Sequence, residues 1–150
     1  MSIYCTFFKK TLRILHTTMF LINTLNGHLQ LSSALIIKPN AAYDELLLQL
    51  KEASLEFIKE DIYSLYHYIN IFKYHFDHKF FHFELFFDKK NLKSISFNFS
   101  CDAGFEISYE QWMLNVFGNQ NHFNWGSIEL SEHPKFGVPL IKMQYNKATL

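Results

Sequence analysis

The chain has 150 residues, 49% of them hydrophobic and 18% aromatic, and its 14 basic and 14 acidic side chains cancel. That composition supports one domain with a substantial core and excludes a disordered chain. With no basic excess, nucleic acid is excluded as the expected partner, because phosphate neutralisation supplies most of a nucleic-acid binder's affinity.

The first residues read MSIYCTFFKKTLRILHTTMFLI. Lys9, Lys10 and Arg13 precede an apolar run that His16, Thr17 and Thr18 interrupt. No small-residue cleavage site follows, and the run is too short and too polar for a membrane span. Residues 1–18 therefore read as an added segment, or as the product of an upstream start codon. Met19 then opens a single α+β domain over residues 19–150. Cys5 and Cys101 lie far apart with no metal-ligand spacing, and read as reduced thiols of a cytoplasmic protein.

FLINTLNGHLQL carries Asn26-Gly27, a pair suited to the positive φ of a tight hairpin turn. LQLSSALIIKP continues the hairpin, with a bend at Ser32-Ser33 and a stop at Pro39. Asn40 stands where an N-cap belongs, and Asp44 and Glu45 suit the positive end of a helix. Tyr43, Leu46, Leu47 and Leu50 fall at helical spacing and give that helix a buried face. Leu55 and Ile58 extend the face, or Ala53-Ser54 breaks the run. Glu56, Lys59 and Glu60 read as a solvated end.

From Asp61 the pattern turns to strand, in IYSLYHYINIFKY, FFHFELFF and LKSISFNFS. Asp88-Lys89-Lys90-Asn91 reads as a hairpin turn between the last two, completing a three-strand meander. Within these strands Phe81, Phe83, Leu85, Phe87, Ile95, Phe97 and Phe99 occupy one parity. His82, Glu84, Ser94, Ser96 and Asn98 occupy the other. A two-residue period puts the first set on a core face and the second on an exposed polar face.

The stretch YHFDHKFFHFELFF also holds His75, His78 and His82, which with Glu84 raise a metal or acid–base alternative. On one strand, residues four apart are separated by ~13 Å, too far for one ion. With no third firm ligand, neither a metal nor a cofactor is expected. Glu129, Glu132 and His133 read as solvated groups at a loop edge. No nucleophile elbow, P-loop or dinucleotide fingerprint occurs.

Ser108 caps a second helix, YEQWMLNVFG, with Gln111 placed for a capping box and Gly118 for its end. Trp112, Met113, Val116 and Phe117 form its apolar side. FNWGSIEL and VPLIKMQY then read as a closing hairpin. Pro139 points to an edge or strand-end position, and Gly126 to a bulge or a close backbone approach. The expected fold is α+β: an antiparallel sheet of N-terminal hairpin, central meander and C-terminal hairpin, packed against two helices.

NGHLQLSSALIIKPNAAYDELL and FNWGSIELSEHPKFGVPLIKMQY resemble the opening and closing segments of a group of small bacterial α+β proteins. The likeness runs over residues 19–146 and is strongest at both ends. Its motifs are structural: a turn, a cap and a hairpin. His133-Pro134 departs from the Asp-Pro common in that group, and residues 1–18 depart from it as well. The resemblance links the chain to interbacterial toxin loci, where such proteins serve as immunity factors. It implies a cytoplasmic, non-enzymatic protein that binds a cognate toxin, with His82, Glu84, Ser94, Ser96 and Asn98 as the candidate contact face. The alternatives are a small metal protein or hydrolase using the His75/His78/His82/Glu84 region, and a homo-dimer.

Overall fold

The structure, a computed structural model, describes residues 20–147, so the expectations for residues 1–18, Cys5 and Met19 lie outside the described residues. Strands β1 (Ile22–Asn23), β2 (His28–Gln30) and β3 (Ile36–Ile37) form a small antiparallel sheet. Asn26-Gly27 does turn the chain between β1 and β2, but inside a four-residue loop closed by Gly27 N–H donating to the Asn23 carbonyl at 2.7 Å, not as a two-residue turn. The Ser32-Ser33 bend is present, and the Ser32 hydroxyl accepts from the amides of Ala34 and Leu35.

Helix α1 (Tyr43–Glu52) buries Tyr43, Leu46 and Leu50. Its N-cap is Ala42, with no side-chain cap, and Asn40 instead adopts positive φ two residues earlier. The cap is supplied from outside the helix: the Lys90 carbonyl accepts from Tyr43 N–H at 2.9 Å. A free helix-end amide needs a partner, and a neighbouring hairpin serves as well as a side chain. The helix stops at Ala53-Ser54, where Ser54 takes positive φ, so Leu55 and Ile58 do not extend its face.

Residues 57–60, read from the sequence as a helix end, form a strand together with Asp61 and Ile62. β4 (Phe57–Ile62), β5 (Tyr66–Phe76), β6 (Lys79–Asp88) and β7 (Asn91–Cys101) make a four-strand meander, one strand longer than the sequence implied. Tyr63-Ser64, Asp77-His78 and Lys89-Lys90 each carry two consecutive positive φ angles at the hairpin turns, the geometry that matches the twist of paired strands. β4 lies at the sheet edge, and its charges, Lys59, Glu60 and Asp61, suit a strand that must not pair further.

After β7 comes α2 (Tyr109–Phe117), which buries Trp112 and Phe117. The Ser108 hydroxyl accepts from Gln111 N–H at 3.0 Å, as expected. The reciprocal half of a capping box is not made, because the Gln111 side chain donates to Asn115. β8 (His122–Phe123), β9 (Gly126–Glu132) and β10 (Pro139–Tyr145) follow. FNWGSIEL is thus split at Asn124-Trp125, and β10 runs between β7 and β9. The seven-stranded sheet has the order β4-β5-β6-β7-β10-β9-β8, and its pairings are antiparallel. The fold is α+β.

Pro139 explains one local device. Extending the β7–β10 register beyond Ile141↔Phe97 places Pro139 opposite Phe99. Proline offers no N–H to that ladder. The Tyr109 hydroxyl takes its place, accepting from Phe99 N–H and donating to the Phe99 carbonyl, each at 2.7 Å.

The two helices of the described residues and the small sheet pack on one face of the large sheet. Phe81, Phe83, Phe87, Phe97, Leu85, Ile69 and Ile71 are all fully buried there. Each such side chain contributes on the order of 2 kcal/mol by leaving water. Trp125 locks the small sheet on. Its indole covers Gly27, where an added Cβ would sit 2.6 Å from the ring, and its N–H donates to the Thr24 carbonyl at 2.9 Å. Tyr145 donates to the Gly27 carbonyl at 2.7 Å. Gly126 lets β9 and β10 approach: a Cβ there would collide with the Gln144 carbonyl oxygen. Gly126→Ala should therefore destabilise the fold by ~3 kcal/mol in urea unfolding, the cost of forcing atoms into a filled space.

Candidate functional site

The opposite face of the seven-stranded sheet carries no helix among the described residues. Strand register arranges its side chains in rows. One row runs Ile58, Asn70, Glu84, Ser96, Lys142, Glu129, from β4 to β9. A second runs Glu60, Tyr68, Phe86, Ser94, Gln144, Ser127. In a third, His82 stands opposite Asn98, and Phe72 lies beside His82 with ring centroids 4.7 Å apart.

His82, Glu84, Ser96 and Asn98 are half-buried on this face, as the alternation predicts. Ser94 shares the face but is buried, so it is not an exposed contact. Its cross-strand neighbours, Phe86 on one side and Gln144 on the other, flank so short a side chain. His82 Nε2 donates to the Asn70 amide oxygen at 3.0 Å. Burial beside Phe72 holds its imidazole below the ordinary histidine range, and the Glu84 charge opposes that only in part.

The face is less polar than His82, Glu84, Ser94, Ser96 and Asn98 alone imply. Phe80 and Phe86 have the same parity as His82 and Glu84, and Tyr66, Tyr68 and Phe72 stand beside them on β5. Tyr66 stacks on Phe86 at 5.8 Å, and Tyr68 lies 5.1 Å from the same ring. At the other end, Ile58, Phe72, Phe80 and Val138 border an open groove of about 740 Å³, with His82 and Asn98 also lining it. The signal for Phe80 and Phe86 was present in the alternation itself, because parity assigns a ring to a face as firmly as it assigns a serine.

The histidine cluster does not assemble as the metal alternative required. His75 Nε2 donates to Asp102 Oδ2 at 2.9 Å, and His78 Nδ1 lies 3.8 Å from the same oxygen. His78 also stacks on Phe105, with centroids 3.7 Å apart. His82 is committed to Asn70, and Glu84 stands in the row between Asn70 and Ser96. The structure thus brings two of the four residues together and adds Asp102, which no spacing in the sequence marked. Among the described residues no three His, Cys, Asp or Glu side chains form a metal-ligand group. These contacts tie the β5–β6 turn to the loop after β7.

A second polar cluster lies under the core face. Tyr43 donates to Asp61 Oδ1 at 2.8 Å, and His67 Nδ1 donates to the same oxygen at 2.7 Å. The Tyr43 and His67 rings stack at 4.4 Å. The His67 bond, then the Tyr43 bond, holds the Asp61 carboxyl below its usual range. His67 Nε2 is buried with no partner among the described residues. The cluster pins the first turn of α1 to the β4–β5 hairpin.

No family model, no curated protein and no solved structure matches the chain. No helix among the described residues is long and apolar enough to cross a membrane.

The depressed imidazole gives a pH prediction. A histidine whose folded pKa lies below its unfolded value binds fewer protons when folded, so stability falls as pH drops below about 6.5. His82→Gln should flatten that loss in a pH series of thermal melts, and the His82 ring should titrate below the ordinary histidine value by NMR.

Proposed function

We propose that the protein is a cytoplasmic, non-enzymatic immunity protein that neutralises a cognate bacterial toxin by binding it on the uncovered sheet face. One observation carries the proposal: a broad sheet face that the described residues leave open, with a polar centre and aromatic flanks. Aromatic side chains are enriched at interfaces, and dominant binding residues are typically aromatic or arginine. Tyr66, Phe80 and Ile58 are exposed there although each could have been buried at a gain. The half-buried His82, Glu84, Ser96 and Asn98 supply hydrogen-bonding groups between the flanks. The resemblance of residues 19–146 to a group of small bacterial proteins linked to interbacterial toxin loci points the same way.

Such a protein acts by occupying its partner, and needs no nucleophile or metal. Co-expression with the product of the gene immediately upstream tests this directly. That product should arrest growth, and the wild-type chain should restore it. Phe72→Asp/Phe86→Asp, shown to be folded by circular dichroism, should fail to protect, with affinity reduced ~30-fold or more, the equivalent of ~2 kcal/mol at a dominant contact. A neighbouring product that is harmless, or a toxicity that the chain does not relieve, would overturn the proposal.

A further inference from the structure

The chain as a whole is neutral, yet the fold sorts its charges. Four carboxylates, Glu60, Glu84, Asp88 and Glu129, occupy register-paired positions on the open face. Among the described residues Lys142 is the only cation at such a position there, directly opposite Glu129; Lys73, at the β5 bulge beside the groove, lies 3.9 Å from the Glu56 carboxylate that borders it too. That leaves Glu60, Glu84 and Asp88 as a local acidic field. The ion pairs formed by described residues use Asp44, Glu56, Asp61, Asp77 and Asp102 instead. Tyr68 stands opposite Glu60 and next to Glu84. Its phenol is pushed up by burial first, and then by the Glu84 and Glu60 charges.

We infer that the partner docks through a cationic protein surface whose basic side chains meet Glu60, Glu84 and Asp88, while an apolar side chain beside them enters the groove between Phe72 and Phe80. The inference rests on the binding role proposed above and adds the chemistry of the partner. Three other occupants fit the charge less well. Nucleic acid and anionic lipid carry the same sign as the face. A second copy docked face to face would set Glu60, Glu84 and Asp88 against their own counterparts, and like charges across an interface are costly. The groove answers a different requirement. Its apolar border, Ile58, Phe72, Phe80 and Val138, offers area to a buried anchor, whereas the carboxylates steer the encounter.

The division of labour is separable in kinetics. The probe is the purified product of the upstream gene, with association and dissociation rates measured between ~50 and ~500 mM NaCl, a range over which screening shortens from beyond a contact patch to within it. Wild-type association should slow about tenfold across that range. Glu60→Gln/Glu84→Gln, close in shape to the native side chains, should slow low-salt association about tenfold and flatten the salt dependence, with dissociation little changed. Phe80→Ala should speed dissociation at every salt concentration. Tight binding whose association ignores both salt and the glutamine pair would overturn the cationic partner while leaving the binding role intact. No binding by the wild-type chain would overturn both.

Discussion

Phe81, Phe83, Phe97 and Phe99 meet ring to ring beneath β6 and β7, with centroid separations of 5.5 to 6.2 Å, and Trp112 closes the layer from α2. Everything else is arranged around that layer. It holds α2 in place, and α2 in turn places the capped Ser108 turn and Tyr109. Tyr109 then completes the hydrogen bonding that Pro139 cannot. Because strand side chains alternate, every ring committed to the layer commits its sequence neighbour to the opposite face. The open face therefore follows from the core. Phe80 is 46% exposed and Phe81 1% exposed, a consequence of one step along the strand.

The small sheet depends on a second constraint, at Trp125. Segments 101 residues apart in sequence meet where its indole N–H reaches the Thr24 carbonyl and its ring covers Gly27. Tyr145 fixes the same turn from β10. Asn26-Gly27 and Asn124-Trp125-Gly126, far apart in the sequence, are thus parts of one contact. Gly27 has no side chain so that Trp125 can lie against it, and Gly126 has none so that β10 can pass close by.

Much of this was legible in the residues. The alternation across residues 80–100, the Lys89-Lys90 turn, the Ser108 cap and the role of Gly126 all rest on local rules, and local rules act on neighbouring residues. What escaped was set by distant partners. Residues 57–60 read as a helix end because Ile58 falls at helical spacing and Lys59 and Glu60 suit a solvated terminus, and only pairing with β5 makes them strand. Asn40 looked like a cap, but the Lys90 carbonyl had already taken that place across the hairpin. Asp102 joined His75 and His78 through a loop whose course no periodicity encodes. The acidic bias of the open face was hidden for the same reason: Glu60, Glu84 and Asp88 belong to strands whose order is fixed only by folding.

Hydroxyl-radical footprinting of the free chain, read residue by residue by mass spectrometry, tests the two-faced sheet most directly. Adjacent rings supply the contrast within single peptides. Phe80 should be modified readily and half-buried Phe86 more than Phe87, with Phe81 and Phe87 protected and Phe83 and Phe97 as resistant as any described residue. Equal modification of Phe80 and Phe81, or of Phe86 and Phe87, would contradict the alternation on which both the core and the open face depend.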